Sequence, residues 1–282
     1  TIAAKPVHGR EASGLGVMRV SDAGRVTGFV EKPTTDEQLA EVRMDPGWID
    51  RQGIESDGRD CLASMGIYMF NRDVLVESLE ASDHVDFGKE IFPSLIDSRE
   101  VQLHPFDGYW EDIGTIGSFY ESNLQLCQKD SPFNLMDGDA PIYSRPRYLP
   151  PTRLDGATVE QSLIADGCEI EPGAKIENSI VGLRCRIGRD VVIRNSVLMG
   201  ADYYESPAQL AQAAAESAPP IGIGDGALID GAIVDKNCRI GAGAQIVNRR
   251  SVDSGEAGPY CEISDGILVV DKDAVLPAGW TT

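Results

Sequence analysis

The chain has 282 residues, enough for two domains with hydrophobic cores of their own. Its 25 Lys and Arg stand against 45 Asp and Glu, and the resulting net charge of −20 argues against non-specific binding to nucleic acid or to an anionic membrane surface. Small anionic substrates are not excluded, because they need only a local cluster of basic side chains.

Residues 1–130 alternate short strands with helices. The opening segment, Thr1-Ile2-Ala3-Ala4-Lys5-Pro6-Val7, reads as a strand from its first residues. Segments 16–20 and 25–31 flank Asp22-Ala23-Gly24, a hairpin turn signal. Residues 34–60 are polar, carry Pro46, Gly47, Gly53 and Gly58, and read as a long excursion. An apolar strand is expected over 63–70, followed by a helix that Asn71 or Asp73 can cap. Asp86 can cap the next helix, which carries Ile91, Leu95 and Ile96. A further strand covers 101–106, and Thr115 caps a helix running to about residue 128. Residues 131–154 form a linker with Pro132, Pro141, Pro146, Pro150 and Pro151. No apolar run approaches the ~20 residues that span a bilayer, and no signal peptide is visible.

From 155 to 282 the pattern changes. An aliphatic residue is followed four places later by a small one, as in Ile164 and Cys168, Ile170 and Ala174, Val181 and Cys185, Ile223 and Ala227, Val234 and Cys238, Ile240 and Ala244, Val270 and Ala274. The underlying period of six fits neither an α-helix nor a flat strand. It predicts a parallel β-helix of hexapeptide repeats. The ladder slips by one residue twice, between Ile176 and Val181 and between Ile229 and Val234. Residues 199–221 interrupt it, with a short helix expected near 209–216. Three of the six cysteines occupy the small inward position, and no CxxC pair exists, so the thiols read as reduced filler.

Four stretches could carry chemistry. In Phe29-Val30-Glu31-Lys32-Pro33, Glu31 can accept sugar hydroxyls while Lys32 holds an anion; the alternative is a solvated charge pair before a proline. In Gly14-Leu15-Gly16-Val17-Met18, a glycine lets backbone approach a ligand, or simply enters a strand. In Ala63-Ser64-Met65-Gly66-Ile67-Tyr68 and Asp86-Phe87-Gly88-Lys89, Ser64 and Asp86 can bond sugar hydroxyls, with a plain helix cap as the other reading of Asp86. In Tyr109-Trp110-Glu111-Asp112-Ile113-Gly114-Thr115, Asp112 is the candidate Mg²⁺ ligand, unless the stretch is only a helix-entry loop. His8, His84 and His104 lie far apart and form no catalytic pair or metal cluster by spacing. No histidine follows residue 104, which argues against the acyltransferases that share the hexapeptide repeat.

Taken in this order, these stretches resemble ADP-glucose pyrophosphorylase (glucose-1-phosphate adenylyltransferase) over essentially the whole chain. Leu198-Met199-Gly200-Ala201-Asp202-Tyr203-Tyr204-Glu205 and Ile233-Val234-Asp235-Lys236-Asn237 are similar to its cyanobacterial and plant branch. The resemblance implies an α/β plus all-β chain. Residues 1–130 would be the sugar-phosphate part of a partial Rossmann-like (GT-A type) nucleotidyltransferase domain. Residues 155–282 would be a left-handed β-helix for regulation and oligomerisation. The family makes ADP-glucose and diphosphate from ATP and glucose 1-phosphate for glycogen or starch. By resemblance Lys32 binds the sugar phosphate, Glu31 and Gly16 bind the sugar, Ser64 assists, and Asp112 holds Mg²⁺. Lys236 and Lys272 match effector lysines of that branch, where 3-phosphoglycerate activates and phosphate inhibits, and Arg145 and Arg147 add charge beside them. The alternative for these lysines is simple charge balance between aspartates.

The resemblance further implies a homo- or heterotetramer in the cytoplasm, or in the plastid stroma of a plant or alga. One departure stands out: no GGxGTR-like loop for ATP phosphates occurs in the 282 residues. The chain is therefore expected to be part of a longer protein and inactive alone. A non-catalytic regulatory subunit and another sugar-1-phosphate nucleotidyltransferase are the rival readings.

Overall fold

A computed structural model describes residues 1–81 and 83–282. They fall into two compact units, Thr1–Trp110 and Glu111–Thr282.

The first unit is built on a five-stranded sheet. Its strands are β1 (Ile2–Val7), β2 (Gly16–Val20), β3 (Val26–Glu31), β4 (Cys61–Tyr68) and β5 (Leu103–Pro105), in the order β3-β2-β4-β1-β5. Three neighbouring pairs are antiparallel, and only β1 and β5 run parallel. The β2–β3 hairpin closes at Gly24, whose φ of 77° suits a residue without Cβ. The polar excursion contains two helices that the sequence reading passed over. Helix α1 (Asp36–Val42) starts at a Thr35/Gln38 capping box, and α2 (Pro46–Arg51) starts at Asp45 with proline in its first turn. Helix α3 (Arg72–Glu80) follows β4. Asp86 then caps a single π-turn, Phe87–Ile91, that runs into α4 (Phe92–Ile96). Trp48, Ile49, Phe92, Leu95 and Ile96 close over Ile2, Met18 and Leu62 to form the core.

The second unit is a three-faced solenoid. Parallel sheets of five and six strands form two faces, and a seven-stranded sheet ending in an antiparallel hairpin forms the third. Successive coils repeat every seventeen residues rather than eighteen, with Ile170 beside Ile187, Ile176 beside Ile193 and Val181 beside Leu198. The missing residue is the slip seen in the sequence. It falls at one corner, where Gln161, Asn178, Asn195 and Gly231 all take positive φ. The corner is laced by side chains. Asn178 Nδ2 donates to Asn195 Oδ1 at 2.9 Å, and Asn195 Nδ2 donates to Asp230 Oδ1 at 3.1 Å. Ser162, Ser179 and Ser196 stack beside it, each hydroxyl accepting the next coil's backbone N–H at 3.1–3.2 Å.

Two insertions interrupt the coils. The expected one holds α6 (Pro207–Ala215), capped by Ser206. The second was not anticipated: it supplies Gly255–Gly258 and Cys261–Ser264, which form a hairpin against Ile267–Val270. All six cysteines are free and buried. Helix α5 (Ile116–Gln125), expected within residues 1–130, packs on the solenoid through Ile116, Phe119, Tyr120 and Leu124 against Val197, Ile233 and Ile267. The Tyr120 hydroxyl donates to the Asn195 carbonyl, and Gly117 N–H donates to Asp265 Oδ2 at 2.9 Å. No helix among the described residues is long and apolar enough to cross a membrane.

Candidate functional site

In the first unit the sugar-phosphate candidates come from three adjacent strands. Glu31, the last residue of β3, stands opposite Gly16 in β2. Strand β2 pairs with β4 through Val17 and Ala63, so the next step of that register sets Gly16 beside Ser64. Directly opposite residues share a face of the sheet, so Glu31, Gly16 and Ser64 form one row. The glycine is needed there: a Cβ on Gly16 would lie 2.6 Å from Phe29 Cζ and 2.8 Å from Glu31 Oε2. The Glu31 carboxylate lies over bare backbone.

The loop from Asp86 to Lys89 meets this row. A Cβ on Gly88 would stand 3.5 Å from both Glu31 Oε2 and Asp86 Oδ1, so the loop backbone comes up to the carboxylate. Aromatic packing fixes the loop, with Phe87 stacked on Tyr68 at 5.8 Å, Tyr68 against Phe92 at 5.8 Å and Phe29 edge-on to Phe92 at 5.4 Å. Asp86 is spoken for as a cap, accepting Lys89 N–H at 2.8 Å. That bond, then the nearby Lys89 and Lys32 charges, hold its carboxyl below the usual range, so Lys32 acts on the same loop. Lys32 leaves β3 with φ 49° immediately before Pro33, and its N–H donates to the Leu15 carbonyl at 3.0 Å. A non-glycine residue held there costs on the order of 1 kcal/mol, which the flanking strands must impose. Beyond Ser64, strand β4 bulges at Gly66 (φ 69°), whose N–H donates to Ser64 Oγ at 3.3 Å. Burial pushes the Tyr68 phenol up, with Glu31 and Asp86 adding to the shift and a Ser64 hydrogen bond opposing it. The assembled groups are a carboxylate for hydroxyls, an ammonium for an anion and two hydroxyls: the chemistry of a phosphorylated sugar.

The second unit holds a basic cavity of about 550 Å³ lined by Arg145, Arg147, Arg184, Lys236 and Asp202 among others. Lys236 Nζ lies 2.9 Å from Asp202 Oδ1, and Lys272 Nζ lies 3.3 Å from Asp202 Oδ2. Arg145, Arg147 and Lys236 thus line one cavity, and Lys272 reaches it through its ion pair with Asp202.

Residues 1–129 match the nucleotidyl transferase family model, and residues 147–281 match the model of the GLGC left-handed parallel β-helix domain. The chain is a nucleotidyl transferase domain followed by a GLGC-type β-helix. This pairing fits a sugar-1-phosphate nucleotidyltransferase. Helix α5 lies within the matched transferase segment, yet packs on the GLGC-type helix.

Asp112 lies in the segment entering α5, in the second unit, and is exposed. Its Oδ1 accepts Gly114 N–H at 3.0 Å, and its Oδ2 meets no donor among the described residues. No three His, Cys, Asp or Glu side chains converge as a metal cage among the described residues. Mg²⁺ commonly takes one or two carboxylates and completes its shell with phosphates and water, so one open oxygen fits a Mg²⁺ carried on phosphates and not an all-protein site.

Two residues of the basic cavity escaped the sequence reading. Arg184 has φ 59° at a corner where equivalent coils place Gly167, Asn237 and Asp273, all at positive φ. An arginine in a run of glycine, asparagine and aspartate was the available signal. Asp202 was noticed only as part of a resembling stretch, because nothing in the sequence reveals that it meets two lysines.

Proposed function

We propose that these residues are the sugar-phosphate and regulatory parts of a glucose-1-phosphate adenylyltransferase, which converts ATP and α-D-glucose 1-phosphate into ADP-glucose and diphosphate. The observation that carries the reading is the row of Glu31, Gly16 and Ser64 with Lys32 at its end, in a nucleotidyl transferase domain joined to a GLGC-type helix. In this reading Glu31 accepts hydroxyls of the glucose ring over the bare Gly16 backbone, and Ser64 bonds a further hydroxyl. Lys32 holds the sugar phosphate, whose oxygen attacks the α-phosphorus of ATP. Asp112 would hold Mg²⁺ through its open oxygen, and the metal would supply charge neutralisation for the phosphates. The 282 residues contain no glycine-rich phosphate loop, so they are not expected to make ADP-glucose by themselves.

Binding can be tested on the chain as it is. Calorimetry should detect α-D-glucose 1-phosphate, and Lys32→Ala should weaken it by about 1.5–3 kcal/mol, roughly ten- to a hundredfold, the worth of a charge-assisted hydrogen bond. Equal affinity of the two proteins would overturn the assignment.

The gathering of Lys236, Lys272, Arg145 and Arg147 supports anionic regulation, with 3-phosphoglycerate as activator and phosphate as inhibitor. In an active enzyme containing these residues, Lys236→Ala and Lys272→Ala should each lose activation and keep basal turnover. The stacked parallel sheets leave open edges, which supports assembly into a homo- or heterotetramer.

A further inference from the structure

The basic cavity already contains an anion of its own. The Asp202 carboxylate bridges Lys236 at 2.9 Å and Lys272 at 3.3 Å, and it accepts Asn237 Nδ2 at 3.3 Å. The backbone around it is stapled. Asp202 N–H donates to Asn237 Oδ1 at 2.8 Å, and Arg184 donates to the Ala201 carbonyl at 3.1 Å while its guanidinium lies 5.8 Å from the centre of the Tyr204 ring. The Tyr204 hydroxyl donates to the Gly167 carbonyl at 2.8 Å. Three residues after Asp202, Glu205 is buried and paired with Arg239 at 2.6 Å. A rigid main chain thus holds a partly exposed carboxylate against two lysines. Each Lys–Asp pair is partly exposed, so each is weak enough to exchange with solvent or ligand.

We propose that Asp202 is a resident competitor for the anion bound in this cavity: it occupies Lys236 and Lys272 when the cavity is empty and yields them to an incoming phosphate group. This deepens the effector-site reading above and rests on it. A monovalent anion offers these lysines no more than the carboxylate already does. A phosphate carries more charge and three or more acceptor oxygens, and it can also reach Arg145, Arg147 and Arg184, which Asp202 does not bridge. The resident carboxylate therefore raises the threshold for every anion and sets selectivity for phosphate over chloride. Arg184 becomes a further anion-binding residue of the same cavity.

The test is titration of the chain with inorganic phosphate by calorimetry, in low-salt buffer and again with added chloride. Wild type, Asp202→Asn, Asp202→Ser and Lys236→Ala are compared after thermal melts confirm that each folds. Removing the competitor should tighten phosphate in both Asp202 variants by roughly three- to thirtyfold, the range expected for releasing two partly exposed ion pairs. It should also make phosphate binding more sensitive to chloride, and Lys236→Ala should weaken it. If phosphate binds wild type and needs Lys236, but neither Asp202 variant tightens it, the resident-competitor proposal fails while the anion site stands. If phosphate binds neither wild type nor the Asp202 variants, both readings fail.

Discussion

At residue scale, the candidate sugar site depends on one missing Cβ. Phe29 and Glu31 already fill the space above Gly16, and the Phe29 ring is held edge-on to Phe92. Gly16→Ala must displace one of them, an overpacking cost of about 1–3 kcal/mol. The expected outcome is a lower melting temperature together with weaker glucose 1-phosphate binding, read by calorimetry. Loss of binding with an unchanged melt would mean that the methyl group touches ligand and leaves packing intact. Both Gly16 and Glu31 could be named from the sequence, since a glycine near a strand start and a charged strand end are visible in one dimension. Their being opposite each other could not, because register is set by the hairpin and the sheet.

At the scale of elements, the solenoid was legible because its inward residues recur along the chain. The one-residue slip has its physical explanation in the corner at Asn178 and Asn195, a stack of positive-φ residues beside a serine ladder. Ser179 is fully buried and its hydroxyl accepts Ser196 N–H at 3.1 Å. Ser179→Ala leaves that donor without a partner and should cost about 1–3 kcal/mol, measured by urea unfolding. Ala232 follows in the same stack, where the chain itself ends the hydroxyl ladder. A separate loss is expected at the first insertion. Arg239→Ala strands the buried Glu205 carboxylate and should destabilise by about 3 kcal/mol in the same assay. Helices α1 and α2 show how polar segments mislead: the capping signals, Thr35 with Gln38 and Asp45 before Pro46, lie inside a stretch whose polar composition reads only as a long excursion.

At the scale of the whole molecule, titration divides the charged surface from the buried thiols. The hydrogen bond from Lys236, then those from Lys272 and Asn237, pull the Asp202 carboxyl down to about 2 from an ordinary 3.8. A depressed carboxyl contributes stability that is fully present above the unfolded value and is lost as pH falls through the folded one. The Asp202 contribution should therefore vanish between about pH 4 and 2, and Asp202→Asn should flatten that part of the acid-unfolding profile. The thiols behave oppositely, since burial pushes Cys61 and Cys261 up to about 11 and Cys238 up to about 12. Alkylation at pH 8 should leave all six cysteines unmodified in the native protein and label all six in denaturant, counted by mass spectrometry. Fast labelling of Cys168, Cys185, Cys238 or Cys261 in the native protein would contradict the packed solenoid interior.

Sequence alone determined the architecture class, because a β-helix writes its period along the chain and each coil needs only the coils beside it. It also supplied the chemical types at the candidate sugar site, since strand ends and glycine turns are local features. Tertiary structure decided what those residues meet. It joined Glu31, Gly16 and Ser64 through sheet register, packed α5 on the solenoid, gathered Arg145, Arg147, Arg184 and Lys236 around one cavity, and set Lys236 and Lys272 on the Asp202 carboxylate. Charges separated by tens of residues have no signature in sequence spacing; only the winding of the coils sets the distance between them.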